Sequence, residues 1–333
     1  MRKHSFRRLA LVLLLTACLL LSSCAPAVRS ALPETTLVPG TDAQLPDAVD
    51  SSPVRVRGAA TLYYRYLDEP YLAPETRVIS QTPSQSWEMA LLTELLSGPG
   101  TQSSQLTAVF PPGTRVLSCS LEGRTLFVTL SQEALNALAD EPVDWQEYDS
   151  WRVEAPLRRR LCMQSLTATV TENCDADEVQ VLIGAEAISG ERLRQNYFLD
   201  DSEDEVLSPA LTRDESLLLT PANTLEAVLS MWISRDWQRL YRYLAATDAS
   251  TGTARPAFTD FVFRMESLPA LNRCQVSRAS VSLSGDTATL SLTAEWTDRR
   301  GRLRTSENRI LHLRRTNDLW TISLEQLTGW LGE

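Results

Sequence analysis

Residues 111–131 read PPGTRVLSCSLEGRTLFVTLS, two runs of strand-forming residues on either side of a glycine turn. Pro112 and Gly113 stand where a type II turn needs proline and glycine. Gly123 separates the two runs, which are rich in apolar and β-branched residues. The stretch therefore predicts a β-hairpin that the chain enters through a tight turn.

A helix is predicted before this hairpin. Pro83 opens it, and apolar residues recur along it at helical spacing: Trp87, Leu91 and Leu95, with Leu92 and Leu96 beside them. Gly98 stands where a left-handed residue commonly ends a helix. Pro99 then prevents the helix from continuing.

Three more strands and a second helix are predicted around the hairpin. The strands are short runs bounded by turn residues, at 61–67, 76–80 and 178–183. The second helix covers about 153–169. Because proline has no N–H to donate, we expect Pro156 to lie in the first turn of this helix or to kink it.

This order of elements resembles the GerMN domain, which is found in sporulation and germination lipoproteins of spore-forming bacteria. The likeness covers about residues 59–190 and lies in these strings: LYYRYLDEPYLAPETRVI, LLTELLSGP, PPGTRVLSCSLEGRTLFVTLS and, later, LTATV followed by EVQVLIGAE. The family usually closes on a valine-rich strand and Asp-Gly, where this chain has IGAE at 183–186. The resemblance implies a ring-building-type αβ module at 59–197, with two helices on a three-stranded sheet, used for docking rather than chemistry.

An acidic linker is predicted at 198–220. Five of the six residues at 200–205 are acidic, and a run of like charges is typical of a solvated segment. Its alternating Asp200, Ser202 and Asp204 faintly resemble a calcium-binding loop, but Glu205 stands where that loop needs glycine. We therefore expect a linker and no calcium site.

The last segment, 221–333, begins with helices and continues as strands. Thr220 and Pro221 open the first helix, and two more helices follow. Four strands are then predicted as a meander, at about 275–283, 287–297, 303–314 and 319–324. Through the string MWISRDWQRLYRYL and the final tryptophan strand, the segment resembles the cone-shaped fold of the nuclear-transport-factor-two-like superfamily. The whole chain is thus expected to be an α+β protein of two small domains.

The amino terminus has the layout of an export signal. MRKHSFRR is basic and free of acids, and residues 9–21 after it are almost all apolar. Both Cys18 and Cys24 end a tetrapeptide that resembles the lipobox of bacterial lipoproteins. We favour lipidation at Cys24, because the chain becomes polar only after it. This predicts a signal peptide at 1–23, and a cleaved signal without lipidation is the alternative. Residues 24–58, rich in proline, are predicted to be a disordered tether.

Charge and composition exclude several partners and cofactors. Residues 24–333 hold 28 arginines and 42 acidic residues, a balance that repels nucleic acid. His312 is the single histidine of this part of the chain, so the sequence lacks the ligands for a zinc site. Lys3 is the single lysine of the chain, which excludes a phosphate-binding P-loop. We expect no metal and no cofactor.

Four cysteines lie beyond the signal: Cys119, Cys162, Cys174 and Cys274. None has the C-x-x-C spacing of a redox or metal motif. The sequence leaves their pairing open and favours separate core cysteines.

Few residues are candidates for catalysis or recognition. Cone-fold enzymes usually need a His-Asp pair, and His312 alternates with two leucines, which places it on the face opposite to them. Arg158, Arg159 and Arg160 could contact acidic groups of a partner or simply form a solvated helix face. Trp232 and Trp237 could line a ligand pocket, and core packing is the more common role of such residues.

The sequence therefore predicts a membrane-anchored, non-enzymatic lipoprotein that docks other envelope or sporulation-complex proteins, and homo-oligomers are compatible with this role. The alternative is a receptor for a small ligand or a cell-wall fragment in the cone pocket, and a hydrolase is a distant third. A polar pocket beneath the two tryptophans would favour the receptor. A filled core with an exposed sheet edge would favour docking.

Overall fold

The structure is a computed structural model that describes residues 56–138, 140–199 and 206–332. The signal peptide, Cys18, Cys24 and the acidic run at 200–205 lie outside the described residues. The described chain is a mixed α+β protein, which confirms the predicted fold class.

The first sheet is built on a long antiparallel pair of strands. β1 (Val56–Tyr66) and β2 (Leu72–Gln81) pair with Thr61 opposite Thr76. Both predicted strands are present, and each is longer than the sequence indicates. Alternate residues of β1 enter the main hydrophobic cluster, as expected for a strand with one covered face: Ala60, Leu62, Tyr64 and Tyr66.

Helix α1 (Trp87–Leu96) follows this pair. It begins later than the predicted Pro83, because the side chain of Ser86 accepts a hydrogen bond from the Met89 N–H at 3.1 Å and caps the helix. Three leucines on one face are buried: Leu91, Leu92 and Leu95. Short strand β3 (Leu106–Thr107) then pairs with the end of β1.

The second sheet contains the predicted hairpin. β4 (Val116–Glu122) and β5 (Thr125–Ser131) are antiparallel, and β5 is parallel to β6 (Glu178–Gly184). Helix α2 (Asp149–Asn173) connects the parallel strands, as a crossover must. The resemblance implied a sheet of three strands, and these three belong to a sheet of five.

The predicted linker at 198–220 is wrong for its second half. Two short strands, β7 (Glu191–Arg192) and β8 (Leu211–Thr212), both pair with β6 and extend the sheet to five strands. Further on, the Leu219 N–H donates to the Leu72 carbonyl at 2.7 Å. Apolar residues around the acidic run therefore return this part of the chain to the sheet.

Helix α2 is longer at both ends than predicted. Pro156 lies in the interior of this helix and not in its first turn. The helix continues past the missing N–H because its buried face packs in the core beyond that point, through Leu161, Met163, Leu166 and Val170.

The carboxyl-terminal segment begins with three helices: α3 (Pro221–Ser234), α4 (Trp237–Arg242) and α5 (Phe258–Glu266). Five strands form one antiparallel sheet: β9 (Ala270–Val276), β10 (Ser280–Val281), β11 (Thr287–Thr297), β12 (Leu303–Thr316) and β13 (Leu319–Thr321). The first predicted strand is divided into β9 and β10, which both pair with β11.

The last predicted strand, 319–324, ends early. Helix α6 (Leu324–Thr328) follows β13, because the side chain of Ser323 accepts from the Gln326 N–H at 3.2 Å and caps the helix. This helix packs against β12.

The two predicted domains share a core. Residues 53–333 form one compact unit, and a single hydrophobic cluster contains residues from both segments. The rings of Tyr66 and Tyr243 meet edge to face at 5.2 Å, and the Tyr66 hydroxyl donates to the Arg242 carbonyl at 3.3 Å. The described residues of the two segments are therefore packed together.

Candidate functional site

The concave face of the carboxyl-terminal sheet is filled by side chains. Trp232 and Trp330 are both buried, with ring centroids 6.2 Å apart. They pack among buried apolar residues of the sheet and of α6: Leu290, Leu292, Leu311, Leu313, Leu324 and Leu327. The recess beside Trp232 and Trp237 measures about 30 Å³. This volume holds about one water and is far below the size of a small-molecule site.

His312 lies on the outer face of the same sheet. Its neighbours Leu311 and Leu313 point into the core, as the alternation predicts, and its own side chain is exposed. The imidazole Nδ1 lies 3.1 Å from the hydroxyl of Thr289. Within the described residues no carboxylate contacts the ring, so the structure assembles no His-Asp pair there.

The three arginines at 158–160 have different surroundings. Arg158 pairs with Asp140 at 2.6 Å and with Glu154 at 2.6 Å. Arg159 and Glu141 form an ion pair at 3.0 Å in which both side chains are more than nine-tenths buried. Their guanidinium groups therefore hold α2 to neighbouring segments, and Arg160 is the exposed member of the three.

The motif glycines occupy left-handed turns. Gly98 has φ +87°, Gly113 has φ +86° and Gly123 has φ +61°. The carbonyl oxygen of Gly98 accepts from the Tyr64 hydroxyl at 3.0 Å and from Arg77 at 3.1 Å. These glycines shape the turns around α1 and the hairpin, together with Pro99 and Pro112 beside them. Their role in the structure is conformational.

The four cysteines are free thiols. Cys162 is buried, and the other three are half-buried. Burial raises the pKa of the Cys162 thiol, and of each of the others, to about 12. Such thiols are protonated at neutral pH and are poor nucleophiles. Elsewhere in the described chain, no group of three or more His, Cys, Asp or Glu side chains is arranged to hold a metal ion.

The amino-terminal segment presents an unpaired sheet edge. β4 pairs with β5 on one side, and no described strand pairs with its other side. Leu121 lies exposed on this strand, and the residues from Ser120 to Glu122 are all open to solvent. An unpaired edge offers backbone N–H and C=O groups to a strand of another chain.

Residues 61–188 match the family model named Germane, which is described as sporulation and spore germination. The chain carries a GerMN-type domain. The match lies within the predicted 59–197 and confirms this part of the resemblance. The GerMN-type domain contains the hairpin, both of its flanking helices and β6, and it ends beyond Gly184. A Cβ at Gly184 would lie 3.0 Å from the Glu186 carbonyl oxygen, so glycine at this departure from the family pattern fits a tight turn.

Several solved structures match part of this chain. The tandem GerMN domains of the sporulation protein GerM from Bacillus subtilis match with 15% identity and a TM-score of 0.32, over 49% of this chain and 46% of that chain. The first GerMN domain of the same protein matches with 19% identity and a TM-score of 0.27, over 45% and 97%. The Δ5-3-ketosteroid isomerase from Mycobacterium sp. matches with 16% identity and a TM-score of 0.25, over 31% and 88%. No curated protein matches this chain.

Proposed function

We propose that this chain is a lipid-anchored lipoprotein on the extracytoplasmic face of the cell membrane, where it docks other envelope proteins during spore formation or germination without catalysing a reaction. The Germane match supports a role in spore processes. The basic and apolar signal, Cys24 and the proline-rich tether support the anchor. Among the described residues, no helix has the length and apolar character needed to cross a bilayer.

The filled interior of the carboxyl-terminal segment carries the docking proposal. Trp232 and Trp330 occupy the space that a small ligand would need, and about 30 Å³ is left beside them. The recess beside the two tryptophans is too small for a ligand, which supports docking over the receptor alternative.

The free edge of β4 is the surface that we assign to docking. It lies in the GerMN-type domain, and its distal half from Ser120 to Glu122 is exposed. A partner strand could add to it through backbone hydrogen bonds, with Leu121 supplying apolar contact. The partner would then be an envelope protein with an exposed strand or an extended segment.

Complementation in a spore-forming host that lacks its own copy tests this proposal. We expect Cys24→Ala and Leu121→Glu to reduce the yield of heat-resistant or germinating spores, the first by releasing the protein from the membrane and the second by placing a charge on the docking edge. Leu283→Glu is the matched control, because Leu283 is an exposed leucine that lies outside the GerMN-type domain. A folded Leu121→Glu protein with full activity would contradict docking at this edge.

A further inference from the structure

Charge is unequally divided along the chain. Residues 24–220 hold 14 arginines and 30 acidic residues, whereas residues 221–333 hold 14 arginines and 12 acidic residues. The carboxyl-terminal segment is thus slightly basic in an otherwise acidic protein. Such an asymmetry indicates an electrostatic partner for one of the two segments.

The excess arginines gather at one end of the carboxyl-terminal sheet. A cleft of about 550 Å³ lies between α5, the β11–β12 turn and the end of α6. We call it the basic cleft, and its lining includes four arginines and an apolar floor: Arg264, Arg299, Arg300, Arg302, Leu268 and Trp296. It is large enough to admit several side chains of another protein.

The one carboxylate in the lining of this cleft is already used by the turn. Asp298 accepts from the Arg300 and Arg302 backbone N–H groups, at 2.9 and 3.0 Å, and from the Arg302 guanidinium at 2.9 Å. These hydrogen bonds lower the pKa of Asp298 to about 2, so it stays ionised and committed to the turn. Arg299 and Arg300 are exposed, and neither guanidinium pairs with a carboxylate of the described chain. Arg299 donates to the Ser267 carbonyl at 3.2 Å, but neither charge is neutralised, so two positive charges remain available to a partner.

The GerMN-type domain carries a surface of the opposite charge. At the start of α2, the acidic side chains of Asp144 and Glu147 are exposed and make no ion pair with any described residue. Three exposed apolar residues accompany them: Val143, Tyr148 and Val153. We call this set of five residues the acidic ridge. Exposed apolar groups rimmed by charge are typical of protein-binding surfaces.

We propose that the basic cleft binds the acidic ridge of a second copy of this chain. The two surfaces match in charge, because two arginines without a carboxylate partner would meet two carboxylates without a cationic partner. They also match in character, because Trp296 and Leu268 offer apolar area to Val143 and Tyr148. The contact is heterologous, since different surfaces of the two copies meet, and each copy keeps one free surface for the next.

This self-association does not depend on the proposed docking of other envelope proteins at β4. An anionic membrane is the competing occupant of the basic cleft. The protein is favoured as the occupant, because the ridge supplies apolar side chains for the floor of the cleft, whereas the strong overall acidity of the chain opposes approach to anionic lipid.

Sedimentation velocity on protein that begins at Ala25 tests the proposal. We expect species larger than the monomer at low ionic strength, and their loss in about 1 M salt, where the Debye length is about 3 Å. Arg299→Glu with Arg300→Glu, and separately Asp144→Arg with Glu147→Arg, should each weaken association by about tenfold or more. Arg273→Glu with Arg278→Glu is the matched control, because both arginines are exposed in the same segment but lie outside the cleft.

An equimolar mixture of the two weakened variants gives the sharpest result. Each variant retains one intact surface, and the two altered surfaces are again opposite in charge, so the mixture should regain the association that each variant alone has lost. A wild type that stays monomeric at low ionic strength, or a mixture that stays monomeric, would overturn the proposal. The proposal would also be overturned by wild-type protein that does not self-associate but binds vesicles of phosphatidylglycerol and phosphatidylcholine through Arg299 and Arg300. The membrane would then be the occupant of the basic cleft. Near-ultraviolet circular dichroism verifies that every variant is folded.

Discussion

The carboxylate of Glu69, in the turn after β1, has no solvent exposure and is held by the guanidinium of Arg239 on α4. The contact is bidentate, with Nε–Oε1 at 2.9 Å and Nη2–Oε2 at 2.5 Å. It joins the GerMN-type domain to the carboxyl-terminal segment beside the Tyr66–Tyr243 ring pair. The two segments are therefore connected by a buried charge as well as by apolar packing.

Arg239→Gln should lower the free energy of unfolding by about 2–4 kcal/mol, because it leaves the Glu69 carboxylate buried without its cation. Urea unfolding followed by circular dichroism measures this loss. Because the segments share one core, we also expect a single transition for wild type, with both segments unfolding together. Two separate transitions would contradict this.

Arg242→Gln is the matched control for that experiment. Arg242 lies on the same helix and pairs with Asp68 at 2.7 Å, but Asp68 is exposed and Arg242 is partly exposed. Water screens such a pair, so its loss should cost less than about 1 kcal/mol. Equal losses for the two variants would show that burial of the Glu69 pair adds nothing to stability.

Asp248 should make stability depend on acid pH. Its buried carboxylate accepts hydrogen bonds from the hydroxyl groups of Ser250 and Ser323 and from the Thr251 N–H, and these bonds hold its pKa well below the usual range. Because the folded pKa is the lower one, this stabilisation is fully present above about pH 4 and is lost as the pH falls towards the folded value.

Asp248→Asn should therefore be less stable than wild type at neutral pH and should show a flatter loss of stability on acidification. Chemical unfolding at a series of pH values from neutral to strongly acidic checks this. Asp286→Asn is the control, because Asp286 is also held by serine hydroxyl groups but lies exposed in a hairpin turn. Identical pH profiles for the wild type and Asp248→Asn would refute this account.

Gly98→Val should impair the fold of the GerMN-type domain. The φ of Gly98 is +87°, a backbone conformation that costs a residue with a Cβ about 1–2 kcal/mol. A side chain would not clash there, because a Cβ at this position would lie 3.7 Å from the Cβ of Ala108. The melting temperature and the spore yield should both fall. Gly329→Val is the control, because its φ lies outside the left-handed region and nothing lies within 4 Å of its built Cβ.

His312→Ala should leave the spore yield unchanged. The side chain is exposed, and its one side-chain hydrogen bond within the described chain is to the Thr289 hydroxyl, so its removal should affect local packing alone. A folded His312→Ala protein without activity would put acid–base chemistry in place of docking.

Lipid attachment should depend on Cys24 and not on Cys18. Metabolic labelling with a tagged fatty acid should mark the wild type and Cys18→Ala but not Cys24→Ala. Label retained on Cys24→Ala would reassign the anchor.

The sequence by itself determined the local elements of this protein. Local signals predict the turn at Pro112 and Gly113, the left-handed residue at Gly98, the hairpin turn at Gly123 and the alternation along β11. The structure has each of them. They depend on backbone sterics and on a period of two or of 3.6 residues, which neighbouring residues in the chain establish. The GerMN resemblance depends on such local strings, and the match of the family model to residues 61–188 confirmed it.

Only the tertiary structure decided how these elements combine. The helix α2 continues through Pro156 because its buried face packs in the core. Leu211 and Thr212, which were predicted to lie in the linker, form a strand because they pair with β6. The side chain of Trp330 packs against Trp232 in the interior of the carboxyl-terminal segment, although no local pattern identifies which distant residue fills that space. Contacts between residues far apart in the chain, such as Glu69 with Arg239, depend on the packing of the whole core. A local sequence pattern therefore does not predict them.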